Sequence, residues 1–220
     1  SYAENNLLRE GLDRDLIIKV GSPLKEVYEY YENKIDKSVI LEKLKLKKEN
    51  FIIASIHREE NVTDKIILNN ILSSINTISK EKKLRVIFST HPRTLSNLGK
   101  NKGKYKNIEF FNSFGFLDYI KLLKTSRLVI SDSGSITEET SILNLRSVNL
   151  RSSHERQEGM EKGISILSGI SQKNIIQSIK IALEKKVRGS NLRLDDYHEK
   201  NVSDKIVNII QSYIPYINKK

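Results

Sequence analysis

The sequence predicts an α/β fold organised around a doubly wound parallel sheet. Three observations carry this expectation. Six short segments rich in Ile, Val, Leu and Phe (16–20, 51–56, 84–90, 108–111, 127–131 and 147–150) run with little polar alternation. Apolar runs of that length suit strands covered on both faces. Helical patterns separate them, so strand and helix alternate, as right-handed crossovers between parallel strands require. Finally, four of the strands end in clusters of charged and hydroxyl residues. In a parallel sheet all carboxyl ends share one edge, the edge where open α/β sheets take their ligands.

Taken in order, "SYAENNLLREG" reads as a helix belonging to something upstream, and a boundary is expected near Gly21. The run "LIIKV" (16–20) reads as a strand. "FIIASI" (51–56) is the next, followed by "DKIILNNILSSINTISK", where Ile67, Ile71, Ile75 and Ile78 recur at three- and four-residue steps and mark one helical face. Strand "LRVIFST" (84–90) and strand "IEFF" (108–111) follow, then the helix "FLDYIKLLKTS". Strand "RLVIS" (127–131) leads into the helix "SITEETSILN", and "SVNL" (147–150) is the sixth strand. Two amphipathic helices, "SQKNIIQSIKIALEKK" and "NVSDKIVNIIQSYIPYI", end the chain.

A chain of 220 residues, 38% hydrophobic and 30% charged, can bury a sizeable core. No run approaches the ~18 apolar residues of a membrane-spanning helix. The start is polar, unlike a signal peptide, and lacks an initiator Met, as a fragment or a processed chain would. The absence of Cys removes disulfides and thiolate chemistry, and a cytoplasmic location is expected. The net charge of +11 raises a nucleic-acid reading. The lysines, however, are scattered through "KLKLKK", "KEKKLR" and "KNKGKYK" at segment ends, which is the pattern of a solvated surface.

The four polar clusters hold the candidate site. His57-Arg58-Glu59-Glu60-Asn61 follows one strand, His91-Pro92-Arg93 the next, Ser131-Asp132-Ser133-Gly134-Ser135 a third, and Arg151 to Arg156 a fourth. Between "LVIS" and "ITEETSIL" the turn presents unpaired N–H groups and the positive end of a helix dipole. Gly134 allows close approach, and the serines add donors, so the turn can hold a phosphate. Glu139, one turn further on, is suited to accept from ribose hydroxyls. A phosphate donor set beside a ribose acceptor points to a nucleotide. Each residue also has a plainer reading. Ser135 and Glu138 could form a capping box, Glu59 and Glu60 a first helical turn, and His57 a structural histidine. His91-Pro92 could simply end a strand. Arg151 and Arg156 could be surface charges, and Tyr119 could cover the core.

The segments "SIHREEN", "THPRT", "SDSGSITEET" and "RSSHERQEGMEKG", in this order, resemble the non-hydrolysing UDP-N-acetylglucosamine 2-epimerases. The resemblance spans nearly the whole chain but only the second half of that family's length. It implies the Rossmann-like second domain of a two-domain, glycosyltransferase-B-like architecture, with substrate in the cleft. On this basis residues 1–20 are the tail of an upstream domain or a linker, 21–195 the UDP-binding domain, and 196–220 a closing helix that packs back toward the upstream domain. The implied reaction inverts C2 of a UDP-linked 2-acetamido sugar by elimination and re-addition of UDP, with no metal or cofactor. Carried over by position, His57 is the essential histidine, and His91 has an electrostatic or proton-handling role. Ser133, Gly134 and Ser135 form the diphosphate turn, Glu139 holds the ribose, and Arg58, beside His57, belongs to the UDP contacts. Tyr119 and nearby Phe114 lie by the uracil, and Arg156 reaches the sugar diphosphate. The full-length protein is expected to be a homo-oligomer, a dimer, with a UDP-linked amino sugar as its ligand and neither nucleic acid nor membrane as a partner.

Two positions depart from the family pattern. Ser135 replaces a second glycine, and "E-R-P-E" reads Glu155-Arg156-Gln157-Glu158. His154 before the Glu-Arg pair resembles the capsule-sugar branch, which forms the UDP-N-acetyl-L-fucosamine nucleotide from the 2,6-dideoxy-L-talose epimer. The family's proton-transfer carboxylates lie in its first domain, so this chain alone is expected to bind UDP weakly and epimerise nothing. The competing readings are a hydrolysing relative, a glycosyltransferase, a nucleotide sensor without catalysis, and a basic nucleic-acid-binding module.

Overall fold

The computed structural model describes residues 2–153, 156–184 and 193–217. Six parallel strands form one sheet: β1 (Phe51–Ser55), β2 (Arg85–Thr90), β3 (Ile108–Asn112), β4 (Leu128–Ser131), β5 (Ser147–Asn149) and β6 (Ile166–Leu167). Their order is β3-β2-β1-β4-β5-β6, so the chain winds outward in one direction from β1 and then returns to wind the other way from β4. The expected doubly wound sheet is present.

Helices cover both faces. Before β1 lie α1 (Tyr2–Arg9), α2 (Leu24–Asp36) and α3 (Ile40–Lys43). The crossovers carry α4 (Glu59–Val62), α5 (Lys65–Lys82), α6 (Pro92–Leu98), α7 (Phe116–Thr125), α8 (Ile136–Leu143) and α9 (Gln157–Glu161). After β6 come α10 (Gln172–Glu184), α11 (Asp195–His198) and α12 (Val202–Ile217). Strand residues alternate between two cores. Ile52, Ala54, Val86, Phe88, Leu128 and Ile130 pack with α5 and α10. Phe51, Ile53, Ile87 and Val129 pack with α2, α7 and α8. Burial on both faces explains why these strands lack polar alternation.

The sequence sets the helix ends locally. In α5, Ile71, Ile75 and Ile78 are fully buried. The Asp64 carboxylate accepts from the N–H groups of Ile66 and Ile67 at 2.7 and 3.1 Å, and Lys83 ends the helix in the left-handed region at φ 54°. A cap of this kind contributes about 1 kcal/mol.

Three features differ from the expectation. Residues 16–20 join none of the six strands. Leu16, Ile18 and Val20 instead line, together with Ile206, Ile209, Ile210 and Tyr213 of α12, a groove of about 410 Å³. Strand β6, only two residues long, carries too little pattern to be read in advance. Helix α2 escaped the sequence reading, although Leu24, Tyr28, Tyr31 and Ile35 have helical spacing and pack on the core beneath α7. No helix among the described residues is long and apolar enough to cross a membrane.

Gly21 sits where residues 16–20 turn into α2, at φ +94°, and a Cβ there would stand 2.5 Å from Glu199 Cβ. Gly21→Ala therefore forces both an unfavourable backbone and a clash with the segment before α12. We expect a loss of about 1–3 kcal/mol, read as a lower midpoint in urea unfolding.

Candidate functional site

The reversal of winding falls between β1 and β4, the place where a parallel sheet opens a crevice at its carboxyl edge. Ser55 of β1 pairs directly with Ser131 of β4. His57 and Asp132 therefore lie just beyond the same line, on opposite sides of the crevice.

Asp132 holds the two sides together. Its carboxylate is fully buried and accepts from the backbone N–H of His57 at 3.1 Å, the N–H of Arg58 at 2.9 Å and the Asn61 amide at 3.0 Å. His57 Nδ1 lies 3.3 Å from the same carboxylate, and the imidazole remains partly exposed on the rim. Asn61 also donates to the Leu150 carbonyl at 3.0 Å, bringing the loop after β5 into the cluster. Thr94 donates to the Ile56 carbonyl at 2.7 Å, and Ser113 to the Thr90 carbonyl at 3.1 Å. The polar loops are thus stitched to one another. His91 lies beside His57, with ring centroids 6.4 Å apart.

The turn after β4 has a definite hydrogen-bond pattern. The Ser133 N–H donates to Ser131 Oγ at 3.1 Å, and the Ser135 N–H to Ser133 Oγ at 3.3 Å. The Ser133 and Ser135 hydroxyls are 2.8 Å apart, and Ser135 donates to Glu139 Oε1 at 2.8 Å. Ser135 makes no side-chain cap to α8. Glu138 faces away, bonded to the Ser22 hydroxyl and paired with Arg156. The capping box is therefore absent. The leading N–H groups of α8, from Ile136 onward, have no carbonyl of their own helix to reach and face the crevice end of the dipole.

Glu139 is half-buried at the base of this turn. Burial pushes its carboxyl above the usual carboxylate range, with Glu138 adding to the rise and the Ser135 hydrogen bond opposing it. Burial also raises the phenols of Tyr28 and Tyr119, and the Glu139 charge adds to both. Tyr119 bonds to Ser55 and belongs to the core beneath α7, as its plainer reading held. Phe114 packs on Phe111 with centroids 5.6 Å apart. Arg58 pairs with Glu60 at 2.8 Å, and Glu59 and Glu60 form the first turn of α4. Pro92 opens α6, in the position where a missing N–H costs nothing.

Arg151 stood in the fourth polar cluster with a surface charge as its plainer reading and no site role of its own. It is buried, with only 6% of its surface exposed, and its Nη1 lies 3.8 Å from the position a Cβ on Gly134 would take. A surface charge is excluded. A bare glycine beside a buried guanidinium is the arrangement an approaching anion needs. Arg156 sits on the flank of the crevice, its guanidinium 3.3 Å from Tyr197 Oη and over that ring, and Tyr197 in turn donates to Glu158 at 2.5 Å. Ser22, Glu138, Arg156, Glu158 and Tyr197 line a cavity of about 290 Å³. His154 and Glu155 lie outside the described residues. Among the described residues, no group of three or more His, Asp and Glu could hold a metal ion.

A hydroxyl-lined turn, a helix N-terminus, a histidine and a buried arginine at the switch point of a parallel sheet define a Rossmann-like α/β domain with a polar, donor-rich crevice. The family model for UDP-N-acetylglucosamine 2-epimerase matches residues 1–211, and the chain belongs to that family. It is 32% identical over 203 residues to the UDP-N-acetylglucosamine 2-epimerase of Methanocaldococcus jannaschii, covering 86% of this chain and 54% of that protein. It is 31% identical over 217 residues to that of Methanococcus maripaludis, covering 94% and 58%. Among solved structures, the UDP-N-acetylglucosamine 2-epimerase from Rickettsia bellii superposes with a TM-score of 0.89 at 38% identity, over 100% of this chain and 60% of that one. The M. jannaschii enzyme in complex with UDP-GlcNAc and UDP gives 0.86 at 30% identity, over 96% and 59%. The chain therefore spans between half and two thirds of the length of these relatives.

Two substitutions probe the site with opposite signs. Asp132→Ala leaves two backbone N–H groups and the Asn61 amide without their acceptor, and should cost about 2–4 kcal/mol in chemical unfolding. Glu139→Gln should stabilise. The carboxyl titrates higher in the folded chain, so its stabilising effect is complete below the ordinary value of 4.5 and is lost as pH rises through the raised one. The Gln variant should therefore unfold at a higher temperature than the wild type at pH 7, and the difference should disappear as pH falls below 4.5.

Proposed function

We propose that this chain is the UDP-gripping part of a UDP-2-acetamido-sugar 2-epimerase of the UDP-GlcNAc to UDP-ManNAc type. The observation that carries this reading is the position of the Ser133–Ser135 turn and Glu139 directly across the switch-point crevice from His57. The diphosphate lies against the α8 N-terminus, with Gly134 giving room and Arg151 and His57 supplying positive charge or donors. Glu139 accepts from the ribose, and Phe114 and the backbone near Tyr119 border the base. With Nδ1 turned to Asp132, the His57 imidazole keeps Nε2 for the ligand.

The reaction removes the C2 proton while the bond from the anomeric carbon to UDP breaks, leaving an unsaturated sugar. UDP then adds back with a proton delivered to the opposite face. Negative charge grows on the departing diphosphate. The groups arranged here, donors fixed in advance by Asp132 and the helix dipole, stabilise that charge without reorganising. Arg156 joins them from its place beside Glu138, and His91 adds charge or handles a proton. The proton transfer at C2 belongs to the additional length found in the relatives, and the C-terminal helix α12 closes toward it. The complete protein is a homodimer working in the cytoplasm. The names of the relatives given above support UDP-GlcNAc over the dideoxy-talose branch. Hydrolysis, glycosyl transfer and nucleic-acid binding gain no support from them.

Ligand-induced stabilisation tests the reading. UDP and UDP-GlcNAc should raise the melting temperature of the chain and ADP should not, a gain of about 2.7 kcal/mol being expected at a hundred times the dissociation constant. His57→Ala and Glu139→Ala should each reduce the UDP shift. Equal stabilisation by ADP, or a UDP shift indifferent to both substitutions, would contradict the assignment.

A further inference from the structure

The Ser135 side chain has no part in capping α8, yet it is one of the most constrained hydroxyls on the rim. The Ser135 hydroxyl donates to Glu139 Oε1, so the proton between the two serines comes from Ser133. The chain Ser133 to Ser135 to Glu139 then runs in one direction. It ties down Oε1 and leaves Oε2 as the oxygen that Ser135 does not engage. Tyr28 and Tyr119, both packed in the core, lie near enough to feel the Glu139 charge.

We propose that Ser135 is a positioning residue that sets sugar specificity in the nucleotide: by holding Oε1 it fixes the Glu139 carboxylate so that Oε2 meets a ribose hydroxyl, and the site thereby selects ribonucleotides over deoxyribonucleotides. This rests on the assignment of Glu139 to the ribose made above. A carboxylate held in advance makes its bond to the sugar without an ordering cost. A site built around that bond rejects an analogue lacking the hydroxyl, because its acceptor is then left unpaired. A glycine at 135 would leave the same carboxylate to be ordered by the ligand itself. The backbone at Ser135, φ −70° and ψ −15°, suits any residue, so replacing the side chain tests the hydroxyl and not the turn.

Calorimetric titration of the 220-residue chain with UDP, 2′-deoxy-UDP and uridine, in the wild type, Ser135→Gly and Ser135→Ala, decides the matter. The wild type should prefer UDP over 2′-deoxy-UDP by on the order of tenfold. Both variants should reduce that preference to about twofold, while the gain of UDP over uridine changes by less than about threefold. A general loosening of the turn would lower both ratios together, and that result would overturn the proposal. So would a folded variant, of either kind, that keeps the wild-type ribose preference. UDP binding by the wild type without any ribose preference would refute both the Glu139 assignment and this proposal. Failure of the wild type to bind UDP at all would remove the function proposed above, and this inference with it.

Discussion

The site depends on a single buried carboxylate. Asp132 stands on the turn after β4, and among the described residues the donors that reach it belong to the segment after β1. These two strands are neighbours in the sheet, but more than 70 residues separate their contacts along the chain. The interaction therefore does two things. It closes the seam where the two winding directions meet, and it fixes the rotation of the His57 ring. Without an acceptor there, the N–H groups of His57 and Arg58 would be pulled from solvent with nothing to pair with, and the loop that carries the histidine would have no reason to adopt this path.

Around that anchor, the architecture separates stability from chemistry. The apolar residues of β1, β2 and β4 lie in two cores on opposite faces of the sheet, and polar residues begin where each strand ends. Asn61, Thr94 and Ser113 link the loops through backbone carbonyls, and so hold the rim without using the groups that face the crevice. Glu139 is the exception. It is kept in surroundings that disfavour its charge, and that cost is the kind incurred for binding and not for folding.

How much of this was legible in the sequence depended on how far a residue's partners lie from it. Strands at 51–56 and 127–131 were readable because burial on both faces leaves a continuous apolar run. The same composition misled at 16–20, where Leu16, Ile18 and Val20 line a groove with α12 and pair with no strand. The four polar strand ends were visible, as was the turn at Ser133–Ser135. The function of Asp132 was not, since its partners appear only when β1 and β4 lie side by side. Arg151 was hidden for a related reason. Arginine is ordinarily exposed, and only the packing around Gly134 shows that this one is enclosed.

Strand β6 has one more consequence. A sheet must stop somewhere, and its last strand offers unpaired backbone groups to any other extended polypeptide. Here that border is two residues long; Ser168 still donates to the Asn149 carbonyl of β5, and Gly169 follows with φ +67°, outside the extended region. So short a border gives a foreign strand almost nothing to zip onto. The inner strands, apolar and buried on both faces, are thus protected at this margin by the shortness of their outermost neighbour.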